Sequence, residues 1–446
     1  MTEAALIGLG VMGRNLALNM RERGIAVTAW DPWPEARQWR AEGISVVEQV
    51  NEAVAALAAP RLILLLVKAG EPVDDMIDLL RPYLSPGDVI VDLGNSRYSD
   101  TEARAARLSG EGLRFAGVGI SGGAEGARHG PAMMAGCPDE VWSQLGAVLK
   151  PIAAQAGAET CAEWFGPGGA GHFVKMVHNG IEYAVMQAIA EVCHALHFGG
   201  GLPHTQIADL LAGADQGYLV EITREILTTA DPEEGGPILD VIGDAAGQKG
   251  TGGWCVEAAL DLDVAVPAIA EAVSARQFSS APEPRQKPPR RTGLPVSAFG
   301  FAGPAIDAAT AVALAQGFGL ALRASAAHGW DIDTSRMAAA WRAGSILRMP
   351  VQERLAASVE NAALPAALLE MLEAGLPGLR ALAIAAQQAR QPVPVLASCL
   401  AWTDSLDRAV LPTRMVQAQR DRFGDHGFAR TDREGVHHGP WNRTGA

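Results

Sequence analysis

The chain has little of what would tie it to a disulfide framework, a membrane or a nucleic acid. Its five cysteines, Cys137, Cys161, Cys193, Cys255 and Cys399, are odd in number, scattered and without a CxxC pair. That spacing suggests neither a disulfide scaffold nor a zinc site, no metal is expected, and a reducing compartment fits. No dense Lys/Arg tract is present and the formal net charge is −14, so neither nucleic acid nor an anionic membrane surface is expected as partner. No apolar run near the roughly 18 residues of a membrane span is seen, and no basic leader precedes the apolar pattern that starts at Ala4. A soluble cytoplasmic protein is therefore expected. There is no tandem repeat of fixed period. What the chain does have is length: 446 residues at 48% hydrophobic content suffice for two or three domains of about 100–200 residues.

The first chemistry-bearing stretch follows directly. An apolar run from Ala4 enters Gly8-Leu9-Gly10-Val11-Met12-Gly13 and then a helical pattern. Glycines so spaced allow a tight turn and let backbone N–H groups approach a pyrophosphate at a helix N-terminus. Alone the match is weak. It gains weight from a second strand, Ala26–Trp30, that ends at Asp31, where an acidic side chain meets an adenosine ribose. The competing reading of Asp31 is a cap on the turn into a helix beginning near Pro34.

Strands and helices then alternate, with Leu62–Val67 and Val89–Asp92 as further strands and a helix-like stretch from Pro72. This predicts a parallel sheet with helices on both faces and ligands at the carboxyl ends of the strands. Two glycine-rich loops sit at such ends, Asp92–Ser96 and Gly119–Pro131; their amides can close around an oxyanion, or they are plain flexible loops.

Beyond Gly169 nearly everything reads as helix. Lys175, His178, Asn179, Glu182 and Tyr183 fall within one arc, with Val174, Val177, Ile181 and Val185 opposite. A solvated face is the bland reading of such a stripe. Further on, Lys249 and Thr251 lie on a glycine-rich bend, with Arg276 and Arg420 later; together they can bind a phosphate, although spacing does not show that they meet. Ala281–Arg291, rich in proline and basic residues, reads as an extended surface loop.

Taken together, GLGVMGRNL, LLLVKAG, DLGNSRYSDT, GISGGAEGARHGP, GAGHFVKMVHNGIEY, DAAGQKGTGGW, AEAVSARQFSS and LPTRMVQAQRDRFGDH resemble the decarboxylating 6-phosphogluconate dehydrogenases over almost the whole chain. The resemblance implies a Rossmann-like dinucleotide-binding domain (1–168), an all-helical substrate and dimerisation domain (169–408), and a tail (409–446) that reaches the partner subunit of a homodimer. It implies oxidative decarboxylation of 6-phosphogluconate to ribulose 5-phosphate with reduction of NAD or NADP, the oxidative pentose phosphate step. Lys175 would be the general base and Glu182 the acid. Asn95, Ser121, Gly122, Gly123, His178, Asn179 and Tyr183 would hold the sugar acid, with Lys249, Thr251, Arg276 and the partner's Arg420 and His426 at its phosphate end. Gly8 to Gly13, Asp31, Pro32, Trp33, Val67, Lys68, Ala69 and Asn95 would line the coenzyme.

Departures from the family pattern are Leu93, His129 and Gly253, none of them catalytic, and Asp31-Pro32-Trp33. At that last turn NADP-using members carry Asn-Arg-Ser/Thr, so NAD is the expected preference. A β-hydroxyacid dehydrogenase acting on another substrate would not need Lys249, Arg276 and Arg420, and a catalytically silent nucleotide-binding regulator would not need both Lys175 and Glu182.

Overall fold

A computed structural model describes residues 2–213, 217–248, 250–281 and 293–442. The proline-rich stretch expected as a surface loop lies outside the described residues, except for Ala281. Two compact units are formed, one running to Cys399 and one from Leu400.

The first unit begins with β1 (Glu3–Ile7), α1 (Val11–Glu22), β2 (Ala26–Trp30), β3 (Ser45–Val46), α2 (Val50–Ala55), β4 (Leu62–Leu65), α3 (Glu71–Leu80), β5 (Val89–Asp92) and α4 (Tyr98–Ser109). It continues with β6 (Arg114–Ser121), α5 (Gly123–His129), β7 (Ala132–Gly136), α6 (Asp139–Ile152), the small hairpin β8 (Gln155–Ala156) and β9 (Glu159–Thr160), and β10 (Ala162–Trp164). The main sheet runs β10-β7-β6-β5-β4-β1-β2-β3. Its β3-β2-β1-β4-β5-β6 portion is parallel and has the doubly wound dinucleotide-binding order. β4 and β5 are buried along their whole length, as continuous apolar strands covered by helices on both faces must be. Separate apolar cores fill the two faces.

Three details differ from the sequence expectation. β7 pairs antiparallel with β6, and β10 follows β7, so the sheet is mixed at this edge. The helix expected near Pro34 is a 3-10 stretch, Pro34–Glu42. The glycine-rich segment at 119–131 is not a loop, because Gly119 to Ser121 complete β6 and α5 follows at once.

The helical part comprises α7 (Ala170–His194), α8 (His204–Leu210), α9 (Tyr218–Thr228), α10 (Thr251–Asp261), α11 (Pro267–Ser279), α12 (Ala302–His328), α13 (Thr334–Trp341), α14 (Val351–Ala356), α15 (Ala366–Gln388) and α16 (Pro394–Leu406). α7 is its axis, packing on β6 and β7 and on α10, α11 and α12. Small residues make this possible. A Cβ on Gly171 would lie 2.4 Å from the Gly136 nitrogen, and one on Gly317 would lie 2.4 Å from Ile181 Cδ1. Contrary to the sequence scan, Val296–His328 contains an 18-residue window apolar enough for a membrane span, but 83% of that window is buried inside the protein. Its apolar character is carried largely by alanine and interrupted by Asp307, Thr310 and Gln316, which is why no run stands out.

The second unit holds α17 (Thr413–Gly424) and the two-stranded pair β11 (Phe428–Ala429) and β12 (Val436–His437). Asp421 ties it together. Its buried carboxylate accepts from the backbone N–H of Gly427 and Gly439 and from Trp441 Nε1, and pairs with His438.

Candidate active site

The end of β1 forms the first half of the site. Gly8 has φ +103, and a Cβ there would meet the Leu66 carbonyl at 2.5 Å. A Cβ on Gly13 would lie 2.0 Å from the Gly8 oxygen, whereas around Gly10 nothing lies within 4 Å. The three glycines thus serve a tight turn, an open backbone surface at the start of α1, and close helix–strand contact, which is the cradle a dinucleotide pyrophosphate fits. Asp31 is buried, and its Oδ2 accepts from the Leu9 N–H at 2.6 Å while Oδ1 accepts from the Trp33 N–H at 2.9 Å. Asp31 therefore braces the turn, with its carboxylate held beside the cradle. Trp33 is 70% exposed, and Val11 also faces solvent. Val67 and Ala69 are half-buried and Lys68 exposed, after β4.

The Asp92–Ser96 turn is built on a buried carboxylate. Asp92 Oδ1 accepts from the Gly94 N–H at 2.9 Å and Oδ2 from Ser96 Oγ at 2.5 Å, which leaves Asn95 exposed at the tip.

α7 supplies the second half. Its polar arc faces the interior and not water: Lys175, His178, Asn179 and Tyr183 are all buried, and the Glu182 side chain is 21% exposed. Lys175 fits only because Gly119 has no side chain, since a Cβ there would lie 2.2 Å from the lysine Cβ. His178 is the hub. Its Nδ1 is 3.4 Å from Lys175 Nζ, 3.3 Å from Asn179 Oδ1 and 3.6 Å from Glu182 Oε2. Its Nε2 is 3.1 Å from Ser121 Oγ and 2.9 Å from Ser345 Oγ.

Burial sets the proton affinities. It lowers the Lys175 amine to about 8, against the smaller opposing pull of Glu182. It drives His178 well below its ordinary value, with Lys175 adding to the effect, so the imidazole is neutral. It raises Glu182, partly offset by Lys175 and Arg276. An amine made easier to deprotonate and a carboxyl made easier to protonate thus lie seven residues apart on one helix, an arrangement of the kind acid–base chemistry uses.

Tyr183 links this arc to the next elements. The Arg276 guanidinium lies 3.4 Å over its ring, and a Cβ on Gly252 would meet that ring at 2.6 Å, so buried Thr251 at the start of α10 is drawn to the same region. Gly122 adopts φ +110 with the Gly344 carbonyl 2.3 Å from where its Cβ would be, and Gly123 has φ +62. Both glycines are required by backbone at the Ser121 corner.

Residues 3–166 match the family described as the NAD binding domain of 6-phosphogluconate dehydrogenase, and residues 171–441 its C-terminal domain. The chain belongs to the 6-phosphogluconate dehydrogenase family. It is 39% identical to the decarboxylating 6-phosphogluconate dehydrogenase of Synechococcus elongatus, with 98% of each chain covered. It is 38% identical to the NADP(+)-dependent decarboxylating enzyme of Bacillus subtilis, over 98% of this chain and 99% of the other. Its structure superposes on that of the Plasmodium falciparum 6-phosphogluconate dehydrogenase with a TM-score of 0.91 at 30% identity, covering 98% of this chain and 100% of that one.

Three expected residues fall outside this part of the chain. Lys249 lies outside the described residues. Arg420 and His426 belong to the second unit, where both are exposed; Arg420 donates to Gln417 Oε1 at 2.9 Å, and His426 packs edge-on against Phe423. Ser345, fully buried and in direct reach of His178, was not anticipated. It lies 167 residues further along in an unremarked Ala-Gly-Ser turn, and only its preceding Gly344, with φ +64, hinted at a special backbone.

Proposed function

We propose that this chain catalyses the oxidative decarboxylation of 6-phosphogluconate to ribulose 5-phosphate and carbon dioxide. The observation that carries the proposal is the buried arc Lys175–His178–Glu182, with its lowered amine and raised carboxyl. Neutral Lys175 takes the proton of the C3 hydroxyl. A nicotinamide coenzyme, when bound at the Gly8–Gly13 cradle, supplies the hydride acceptor. The resulting lysine ammonium then donates to the new C3 carbonyl as the carboxylate departs, and Glu182 delivers a proton to C1 of the enediol. Ser121, Gly122, Gly123, Asn95, His178, Asn179 and Tyr183 hold the sugar acid, and Thr251 and Arg276 serve its phosphate, with Lys249 assigned to the same end on the family resemblance alone.

The relatives whose names state a coenzyme point to NADP. This chain departs from the usual pattern of NADP-using members at Asp31-Pro32-Trp33, and we assign it a preference for NAD. Asp31 supports this, as does Arg37, the nearest candidate phosphate partner, whose Nε donates to Glu48 Oε2 at 2.8 Å. The assembly consistent with the family is a cytoplasmic homodimer in which segment 409–446 brings Arg420 and His426 to the partner's site, with 1–168 and 169–408 as coenzyme and substrate domains.

The test is an assay of 6-phosphogluconate beside unphosphorylated gluconate and 3-hydroxyisobutyrate, following reduced coenzyme and carbon dioxide together. Equal or better turnover of the unphosphorylated acids, or reduced coenzyme without carbon dioxide, would overturn the reading. Glu182→Gln should slow turnover strongly while leaving substrate affinity comparatively intact, since acid–base assistance contributes about 10²–10⁴-fold.

A further inference from the structure

At the far end of α7 three ligand-type side chains meet although no sequence spacing marks them. α7 runs on into a single π-helical turn, Ala195–Gly199, a rare geometry frequent at functional positions. That turn carries His197. His204 opens α8, Asp240 comes from the 3-10 turn Ile238–Val241, and one donor atom from each lies within 4.8 Å of the others.

The hydrogen bonding leaves donor capacity unused. His197 Nδ1 donates to the Leu202 carbonyl at 2.8 Å, which fixes its tautomer and leaves the Nε2 lone pair available. His204 is 7% exposed; its Nε2 lies 2.8 Å from Asp240 Oδ1, and its Nδ1 is buried with no hydrogen-bond partner. The group in the second unit that includes Asp421, Asp425 and His438 differs, because the Asp421 carboxylate is already committed to two backbone amides, an indole and an imidazole.

We propose that His197, His204 and Asp240 form a binding site for a divalent first-row transition ion, with Zn²⁺ best suited to two imidazoles and one carboxylate. The hydrogen bond from His197 to Leu202 is the outer contact that metal-binding histidines commonly make. Three protein ligands leave the remaining position to water. Access is through a groove of about 1200 Å³ lined by Cys193, His194 and Thr223 among apolar side chains. The two imidazoles stack, with centroids 4.2 Å apart and planes at 15°. Binding turns one ring out of the stack, and the ion replaces the hydrogen bond between His204 and Asp240. It cross-links α7, α8 and the turn that leads on toward Thr251, and it takes no part in the chemistry at Lys175.

The test uses the full chain dialysed against EDTA and titrated with Zn²⁺ by calorimetry and with Co²⁺ by visible absorption. Wild type should bind one equivalent and melt at a higher temperature with Zn²⁺. His204→Ala and Asp240→Ala should each weaken binding at least about 100-fold, because even loss of an outer partner costs about 10–100-fold. The Asp240 side chain is 52% exposed, so its replacement leaves the core intact should His204→Ala fail to fold. His438→Ala should leave the titration unchanged. Absence of binding, or a Zn²⁺ affinity and melting shift unchanged in Asp240→Ala, would overturn the site.

Discussion

Ser345 Oγ lies 2.9 Å from His178 Nε2 across 167 residues of sequence, and the same hydroxyl oxygen accepts the Leu347 N–H at 3.0 Å. Ser121 Oγ approaches the same nitrogen at 3.1 Å and accepts the Ile346 N–H at 3.3 Å. Two anchored hydroxyls therefore hold the outer edge of the imidazole, while its inner edge faces Lys175 and Glu182.

Ser345 is thus a positioning residue, and Ser345→Ala should act through His178. A net hydrogen bond is worth about 0.5–1.5 kcal/mol, so kcat/KM for 6-phosphogluconate should fall roughly two- to thirteenfold. The loss should appear mainly in the KM for the sugar acid, with the coenzyme KM unmoved, and Ser345→Thr should recover part of it. Equal loss in both KM values would assign Ser345 to general packing.

Lys175→Met should abolish oxidation and, at neutral pH, stabilise the fold. Burial lowers the amine to about 8, whereas an unfolded lysine titrates near ~10.4. Between these values the unfolded chain holds the proton and the native chain does not, so stability gained from this site rises with pH across the window. Below about 8 the native protein carries the buried cation at its full cost, on the order of 3 kcal/mol at most. The variant should melt above wild type at pH 7, with the gap closing toward pH 10. A gap independent of pH would mean that methionine merely packs better.

How much of this was legible beforehand depends on how local the signal was. Gly8, Gly10 and Gly13 and the strand ending at Asp31 are set within one βαβ unit, and the structure keeps them as read. The α7 arc was legible as an arc because helical spacing alone places it there. Its burial was not, since that depends on β6, β7, α10 and α12 closing over it through glycines distant in sequence. Ser345 and the His197–His204–Asp240 group escaped because their partners come from other elements. The antiparallel β7 escaped for a similar reason, as an apolar strand pattern carries no direction.

Subunit complementation tests the proposed sharing of the site between subunits. Arg420 and His426 are exposed in their own unit, which suits residues that complete a site elsewhere. Mixing an Arg420→Ala chain with a Lys175→Met chain should restore about a quarter of wild-type activity at equimolar exchange, since half the dimers would be mixed and each would hold one intact site in a two-fold assembly. Verified exchange without recovered activity would place Arg420 in its own subunit's chemistry or outside the site.

The coenzyme ratio should be set at the end of β2. The Asp31 carboxylate is held in place by the Leu9 and Trp33 N–H groups, so it cannot swing away from an incoming 2′-phosphate. Each of its oxygens retains a lone pair for the ribose hydroxyls of NAD. Pro32 offers neither charge nor donor, and Arg37 and Arg40 both pair with Glu48, so recruiting either for a phosphate breaks an existing ion pair. These ion pairs are solvent-exposed and individually weak, which makes Arg37 the route by which NADP would still bind. kcat/KM should therefore favour NAD. Asp31→Asn combined with Pro32→Arg should shift the ratio toward NADP by removing like-charge repulsion and supplying a phosphate partner. Glu48→Gln should shift it the same way but less, by releasing Arg37. A wild-type ratio favouring NADP would show that the relatives' coenzyme holds here despite the turn.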